Sequence, residues 1–216
     1  NYRNFLGDGC LETEAAGLSV LGRDAVRLMN ELGIAIDLSH VSERTSFDVI
    51  ELSEKPVLAT HANARALVDL PRNKTDDMIR AIARSGGVIG ASVYGPMLWD
   101  GDTSRRPTID DFVRHLEYLV EIAGIDHVGF GTDLPAAVDL TKTAFIAANR
   151  RLWSGISTYG DAFGHDIPAR YALNANSHAK LPAVTEALVA RGWRESDIAA
   201  YLGGNFARAL GEIWHD

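Results

Sequence analysis

Short apolar runs recur along the chain, and longer stretches with apolar residues at helical spacing separate them. The runs at 34–39, 56–60, 88–94 and 128–133 are five to seven residues long, rich in Val, Ile and Ala, and carry few charges. They predict strands buried on both faces. Between them the spacing predicts a helix over 21–32, with Leu21, Ala25, Leu28, Met29 and Leu32 on one face and Gly33 as its stop. Ser42 caps the next helix, in which Phe47 and Ile50 share a face. Thr75 caps a third, with Asp76 and Asp77 in the first turn and Met78, Ile79 and Ile82 facing inward. A fourth starts at Thr108, has Asp111 three positions on, and carries the stripe Ile109, Phe112, Leu116, Leu119 and Ala123. The tail predicts helices near 141–153, 182–191, 196–202 and 205–213, with Pro182 at a first helical position.

Strands that alternate with helices imply parallel βαβ units. A closed barrel of this class needs eight strands and usually about 250 residues, and four strands cannot close one. The expectation is therefore an open doubly wound sheet or half of a barrel, in a single domain spanning 1–216.

Three of the strands end on residues that carry chemistry. Ile34-Ala-Ile-Asp-Leu-Ser-His40 and Pro56-Val-Leu-Ala-Thr-His61 each end on an imidazole, and Val128-Gly-Phe-Gly-Thr-Asp133 ends on a carboxylate. In a parallel α/β fold the C-terminal ends of the strands meet at one mouth, so these three side chains are expected together. Neutral imidazole suits zinc, and a carboxylate can complete the shell or move a proton. Asp37, three residues before His40, reads either as the partner that orients a ligand ring or as a buried, satisfied carboxylate. Arg72-Asn73 reads as a solvated turn or as a clamp for a substrate carboxylate. His115 falls among polar neighbours and reads as a surface residue. His127, His165, His178 and His215 show no ligand pattern. Gly203-Gly204-Asn205 suits an anion-binding turn, but an Asn cap explains it as well.

Composition narrows the classes. A formal charge of −8 without a Lys/Arg cluster argues against nucleic acid. No apolar run approaches the roughly 20 residues of a membrane span, and no leader is visible, which leaves the cytoplasm as the default compartment. Residue 1 is Asn rather than Met, so the missing leader carries little weight. The single Cys10 excludes an intrachain disulfide and reads as a structural thiol.

The strings Gly17-Leu-Ser-Val-Leu-Gly, Met29-Asn-Glu-Leu-Gly-Ile-Ala-Ile-Asp-Leu-Ser-His-Val-Ser42, Pro56-Val-Leu-Ala-Thr-His61, Pro71-Arg-Asn73 and Gly86-Gly-Val-Ile resemble the membrane dipeptidase family, peptidase family M19. Ala123-Gly-Ile-Asp-His-Val-Gly-Phe-Gly-Thr-Asp133 and Gly203-Gly-Asn-Phe-Ala-Arg208 continue the resemblance in order and spacing. It implies a metal-dependent (β/α)8 barrel of the TIM type that hydrolyses dipeptides at a two-zinc centre, often with a D-residue at the C-terminal position. By motif, His40 and His61 resemble the histidines of the second zinc. Asp133 resembles the acid that handles the nucleophilic water and meets the substrate amine, and Arg72 the arginine that holds the substrate carboxylate. The implied chemistry is attack on the amide by a metal-bound hydroxide. The resemblance leaves a homodimer open.

The chain also departs from the family. A His-x-Asp at a strand end, which the family uses for its first zinc, is missing, as is the Glu that bridges both metals. The resemblance therefore implies strands five to eight, the C-terminal part of the barrel, with ligands for one zinc bound weakly and not for two. Leu134-Pro135-Ala136 replaces the Phe-Asp-Gly-like continuation of many members. Two other readings stand beside this one. The first is a different metal-dependent amidohydrolase or lactonase on the same scaffold. The second is an inactive fragment that only binds a partner, with strand edges and apolar inner faces exposed.

Overall fold

A computed structural model of the chain describes residues 1–135, 147 and 150–214. Three parallel strands, β1 (Leu58–Ala59), β2 (Val88–Ala91) and β3 (Val128–Phe130), lie side by side in sequence order. The predicted strand 34–39 lies beside β1 as an extended segment joined by a parallel bridge from Asp37 to Leu58. Its main chain bonds β1 twice, Leu58 N–H to Ile36 O at 2.9 Å and Leu38 N–H to Leu58 O at 2.7 Å. Three of the four predicted strands form ladders, each shorter than its apolar run, and 34–39 contributes only the bridge at Asp37. The cause lies in the side chains at their ends. Past Asp37 the Ser39 and Thr60 amides bond the Asp37 carboxylate instead of a neighbouring strand. Close approach of the strand ends also demands glycine: a Cβ on Gly90 or on Gly131 would collide with the Thr60 carbonyl.

The connecting helices are α1 (Val20–Glu31), α2 (Glu43–Leu52), α3 (Asp76–Arg84) and α4 (Ile109–Ala123). Ser42 and Thr75 cap α2 and α3 as expected, accepting from Thr45 N–H and Met78 N–H. Thr108 and Asp111 close a reciprocal capping box on α4. The inward faces of α3 and α4 also match: Met78, Ile79, Ile82, Phe112, Leu116 and Leu119 are buried.

The faces of α1 and α2 do not match. Leu21, Leu28 and Leu32 are exposed, and the buried side of α1 is Gly22 and Val26. Phe47 is exposed too, while Thr45, Ser46, Asp48 and Val49 are buried on α2. Polar bonds set this orientation. The Asp48 carboxylate accepts Leu18 N–H at 2.9 Å and lies 3.2 Å from the exposed Arg44 guanidinium, which keeps Asp48 on the inward side of α2.

After β3 come short helices α5 (Tyr159–Phe163) and α6 (Ile167–Arg170), then α7 (Pro182–Ala190), α8 (Glu195–Ala199) and α9 (Asn205–Ile213). Most of the helix predicted over 141–153 lies outside the described residues, and its last residues, 150–153, are helical. His215 and Ala136 also lie outside them. The helix predicted over 196–202 stops at Ala199 and widens into a π-type turn, Ala200–Gly204. Asn205 does not cap a helix, Gly204 holding that position. Its amide donates to Ile125 O at 2.6 Å and Val128 O at 2.7 Å, tying α9 to the start of β3. Ala209 and Ile213 of α9 cover Leu58 and Val88, the first residues of β1 and β2.

His115 is fully buried, against the expectation of a surface residue. It shares the stripe of Phe112, Leu116 and Leu119, and its Nδ1 accepts Ala64 N–H at 3.3 Å. Burial and Arg114 pull its pKa down from 6.5 to about 3. Between those values the unfolded chain binds a proton that the folded chain refuses. This contribution to stability is complete above about pH 6.5 and is lost as pH falls toward 3, at about 1.4 kcal/mol per pH unit. Urea unfolding from about pH 7 to about pH 4 should show that loss, and His115→Phe should flatten it. An unchanged slope in the variant would contradict the assignment.

Candidate active site

The segments that end on His40, His61 and Asp133 run parallel, so the fold brings the three side chains to one end of the sheet. The two imidazoles meet edge to face, with Nε2 of His40 3.0 Å from Nε2 of His61. The other nitrogen of each ring is already engaged. His61 Nδ1 lies 2.9 Å from Thr60 Oγ1, and that hydroxyl donates to Asp37 Oδ2 at 2.7 Å. With its own proton spent on Asp37, the hydroxyl can only accept from His61 Nδ1–H, which leaves a lone pair on Nε2. On His40, Nδ1 lies 2.8 Å from Asn1 Oδ1, which accepts its proton in the same way. Two Nε2 lone pairs then face one another.

Asp37 therefore acts on His61 through Thr60, rather than on His40, the ring nearest to it in sequence. Ser39 strengthens the arrangement: its hydroxyl donates to Asp37 Oδ1 at 2.6 Å and accepts His61 N–H at 3.1 Å. The Asp37 carboxyl is held below its usual range; burial opposes this, and four hydrogen bonds from Ser39 and Thr60 outweigh it. His40 is pushed down to about 3 by burial, Arg72 and His61. His61 moves in the same direction, chiefly by burial, while Asp133 opposes the shift. Both rings are neutral at physiological pH, the protonation state a metal requires.

Asp133 Oδ1 lies 3.9 Å from His61 Nε2. Its backbone is left-handed, φ 59°, unusual for a residue other than glycine, and the Tyr171 hydroxyl donates to its carbonyl at 2.7 Å. Burial pushes the Asp133 carboxyl up, against the pull of His61 and Arg72. Arg72 is only 2% exposed. Its Nη1 lies 2.6 Å from Nδ1 and 2.9 Å from Nε2 of His40, and in the tautomer set by Asn1 only Nε2 is free to accept from it, while its buried Nε and Nη2 have no hydrogen-bond partner among the described residues. It is thus no solvated turn residue. The adjacent Asn73 is structural, donating to Val68 O and Met97 O.

All four expected site residues therefore converge. Sequence reasoning missed Thr60, whose place directly before a strand-end histidine was the available signal. It also missed Asn1 and Tyr171, which reach the site from positions with no local signal. Cys10 is buried, its Sγ 3.3 Å from Asn1 Oδ1, as a structural thiol would be.

The donor set fits part of a zinc shell. Two ligands at about 2.0–2.1 Å and a tetrahedral angle stand about 3.3 Å apart, so the Nε2 atoms need to part by a few tenths of an ångström. Among the described residues no group of three or more His, Cys, Asp or Glu is arranged to hold a metal. No helix among them is long and apolar enough to cross a membrane.

Residues 1–143 match the profile of Membrane dipeptidase (Peptidase family M19). A dipeptidase of Claviceps purpurea, tcpJ, is 37% identical over 149 residues, 66% of this chain and 34% of that protein. The crystal structure of an amidohydrolase from Pseudomonas aeruginosa superposes with a TM-score of 0.81 at 33% identity, over 100% of this chain and 63% of its own. That of a metallo peptidase from Rhodobacter sphaeroides, bound to a phosphinate mimic of the dipeptide L-Ala-D-Ala, gives 0.71 at 28% identity, over 92% and 48%. The matches thus span between 28% and 44% of the curated relatives' own lengths. The profile match over residues 1–143, which include the strand-end residues of this site, establishes that the chain belongs to the membrane dipeptidase family, peptidase family M19.

Proposed function

We propose that this chain supplies the carboxylate-binding side of a zinc-dependent dipeptidase site. The observation that carries the reading is Arg72: a buried guanidinium, two of its nitrogens without a partner among the described residues, beside two neutral imidazoles and a carboxylate. Leaving such donors unpaired in the interior is costly, and a planar carboxylate satisfies them in pairs.

His40 and His61 would hold the metal through Nε2. Bound zinc would supply Lewis acidity toward the amide carbonyl and toward water. Arg72 binds the C-terminal carboxylate of the dipeptide and so fixes where the scissile bond lies. Arg72 Nη1 lies 2.9 Å from His40 Nε2, so with that lone pair given to a metal the guanidinium would be free to turn its donors to an anion. Asp133 accepts the proton of the attacking water at its carboxylate, which burial makes more basic than an ordinary aspartate. Its other contact is the substrate amine. Thr60 and Asp37 hold the His61 ring in one tautomer throughout.

The four parallel segments are read as strands five to eight of a (β/α)8 barrel. The exposed apolar residues Leu21, Leu28 and Leu32 of α1 and Ile34, at the start of the segment beside β1, support this, since a further strand and its helix would cover such surface. The remaining metal ligands then come from outside the described residues. The same site on a D-residue dipeptide, as in the Rhodobacter neighbour, is the substrate class we infer.

The alternative, an amidohydrolase or lactonase for neutral substrates, leaves the Arg72 donors unexplained. To separate the two, the protein that carries this sequence is assayed with zinc on L-Ala-D-Ala and on its C-terminal amide. The free dipeptide should be hydrolysed and the amide turned over far less well. Equal rates on both would remove the carboxylate clamp from the account.

A further inference from the structure

We infer that Lys74 is a positioning residue that locks the His40 turn to the Arg72 loop and so sets the metal affinity of the site. This rests on the reading of His40 and His61 as metal ligands. Lys74 is 4% exposed, and among the described residues its ammonium is bound by main-chain oxygens and not by a carboxylate. Nζ donates to Leu38 O at 2.6 Å and lies 3.4 Å from Val41 O. Those carbonyls flank His40, two residues before it and one after. The main chain of Lys74 makes the second attachment. Its N–H donates to Asn63 O and its carbonyl accepts Arg65 N–H, both at 2.8 Å, just past His61. One residue thus joins the His40 turn, the segment after His61 and the loop that carries Arg72.

The electrostatics argue that this ammonium is not kept for stability. A buried cation without a counter-ion loses its hydration, and two carbonyl dipoles return only part of it. Methionine has nearly the same length and would fill the same space without that cost. What methionine cannot do is hold the Leu38 and Val41 carbonyls in place. A turn free to shift by a fraction of an ångström would move Nε2 of His40 away from Nε2 of His61, and such supporting contacts typically change metal affinity about tenfold to a hundredfold.

The test compares wild type with Lys74→Met in three measurements: zinc affinity by calorimetry, midpoint of thermal unfolding, and amide exchange of residues 38–42. Zinc affinity should fall about tenfold or more, exchange of those amides should rise, and the melting midpoint should stay or increase. Unchanged zinc affinity, or a loss of affinity that merely follows a fall in melting midpoint, overturns the proposal. Should Lys74→Met not fold, Lys74→Gln replaces it with the same readouts. A His40→Ala/His61→Ala control separates this proposal from the one beneath it. If wild type and that control bind zinc alike, the metal reading fails, and amide exchange alone then decides whether Lys74 fixes the turn.

Discussion

Arg72→Ala is expected to raise KM for a free dipeptide by about thirtyfold to several thousandfold, with a much smaller change in kcat. The figure follows from removing one partner of a buried, charge-assisted bidentate pair, which costs about 2–5 kcal/mol. The loss falls on KM because the substrate carboxylate is remote from the reacting atoms and is held equally in ground and transition states. Its effect on the C-terminal amide of the same dipeptide should be slight, since that substrate offers no charge to clamp. Lysine should not restore binding, because a point charge on a flexible stem cannot reproduce the planar fork. Steady-state kinetics of both substrates with wild type and variant read this directly. A kcat that collapses while KM holds would place Arg72 at the reacting centre instead.

Asp133→Asn should do the opposite. Asparagine keeps the size and a hydrogen-bonding oxygen but cannot take a proton, so kcat should drop about a hundredfold to ten-thousandfold with KM changed far less. The left-handed backbone favours this variant as a clean probe, since Asn tolerates φ near 59° as readily as Asp does. The carboxyl lies above the ordinary aspartate range, so wild-type activity should fall on the acid side as that group takes up a proton. Full activity in Asp133→Asn would remove the residue from proton transfer.

The site was legible to the extent that strand ends are. His40, His61 and Asp133 each follow an apolar run without an intervening turn, and parallel strands put such positions together whatever the loops do. The faces of α3 and α4 were legible for a similar reason, because each has one apolar stripe and one covering sheet. For α1 and α2 the rule failed. Asp48 is buried with the Leu18 amide bonded to it while its arginine partners stay exposed, and the apolar positions of α1 are left outward. Hydrophobic spacing records which side is greasy, not which side is covered.

His115 shows the converse. Its polar neighbours suggested a surface position, but its spacing to Phe112 and Leu119 placed it on the buried stripe. The relay from Asp37 through Thr60 to His61 and the bond from Tyr171 to Asp133 had no signature in linear sequence. The first crosses between neighbouring strands, and the second joins residues 38 positions apart.

The most direct test of the central claim is a zinc-binding isotherm of this chain, measured beside the His40→Ala/His61→Ala variant. The account predicts that wild type takes up zinc at one site and that the variant loses it. Zinc bound equally by both would show that these two imidazoles do not hold the metal, and the proposed site would fall with them.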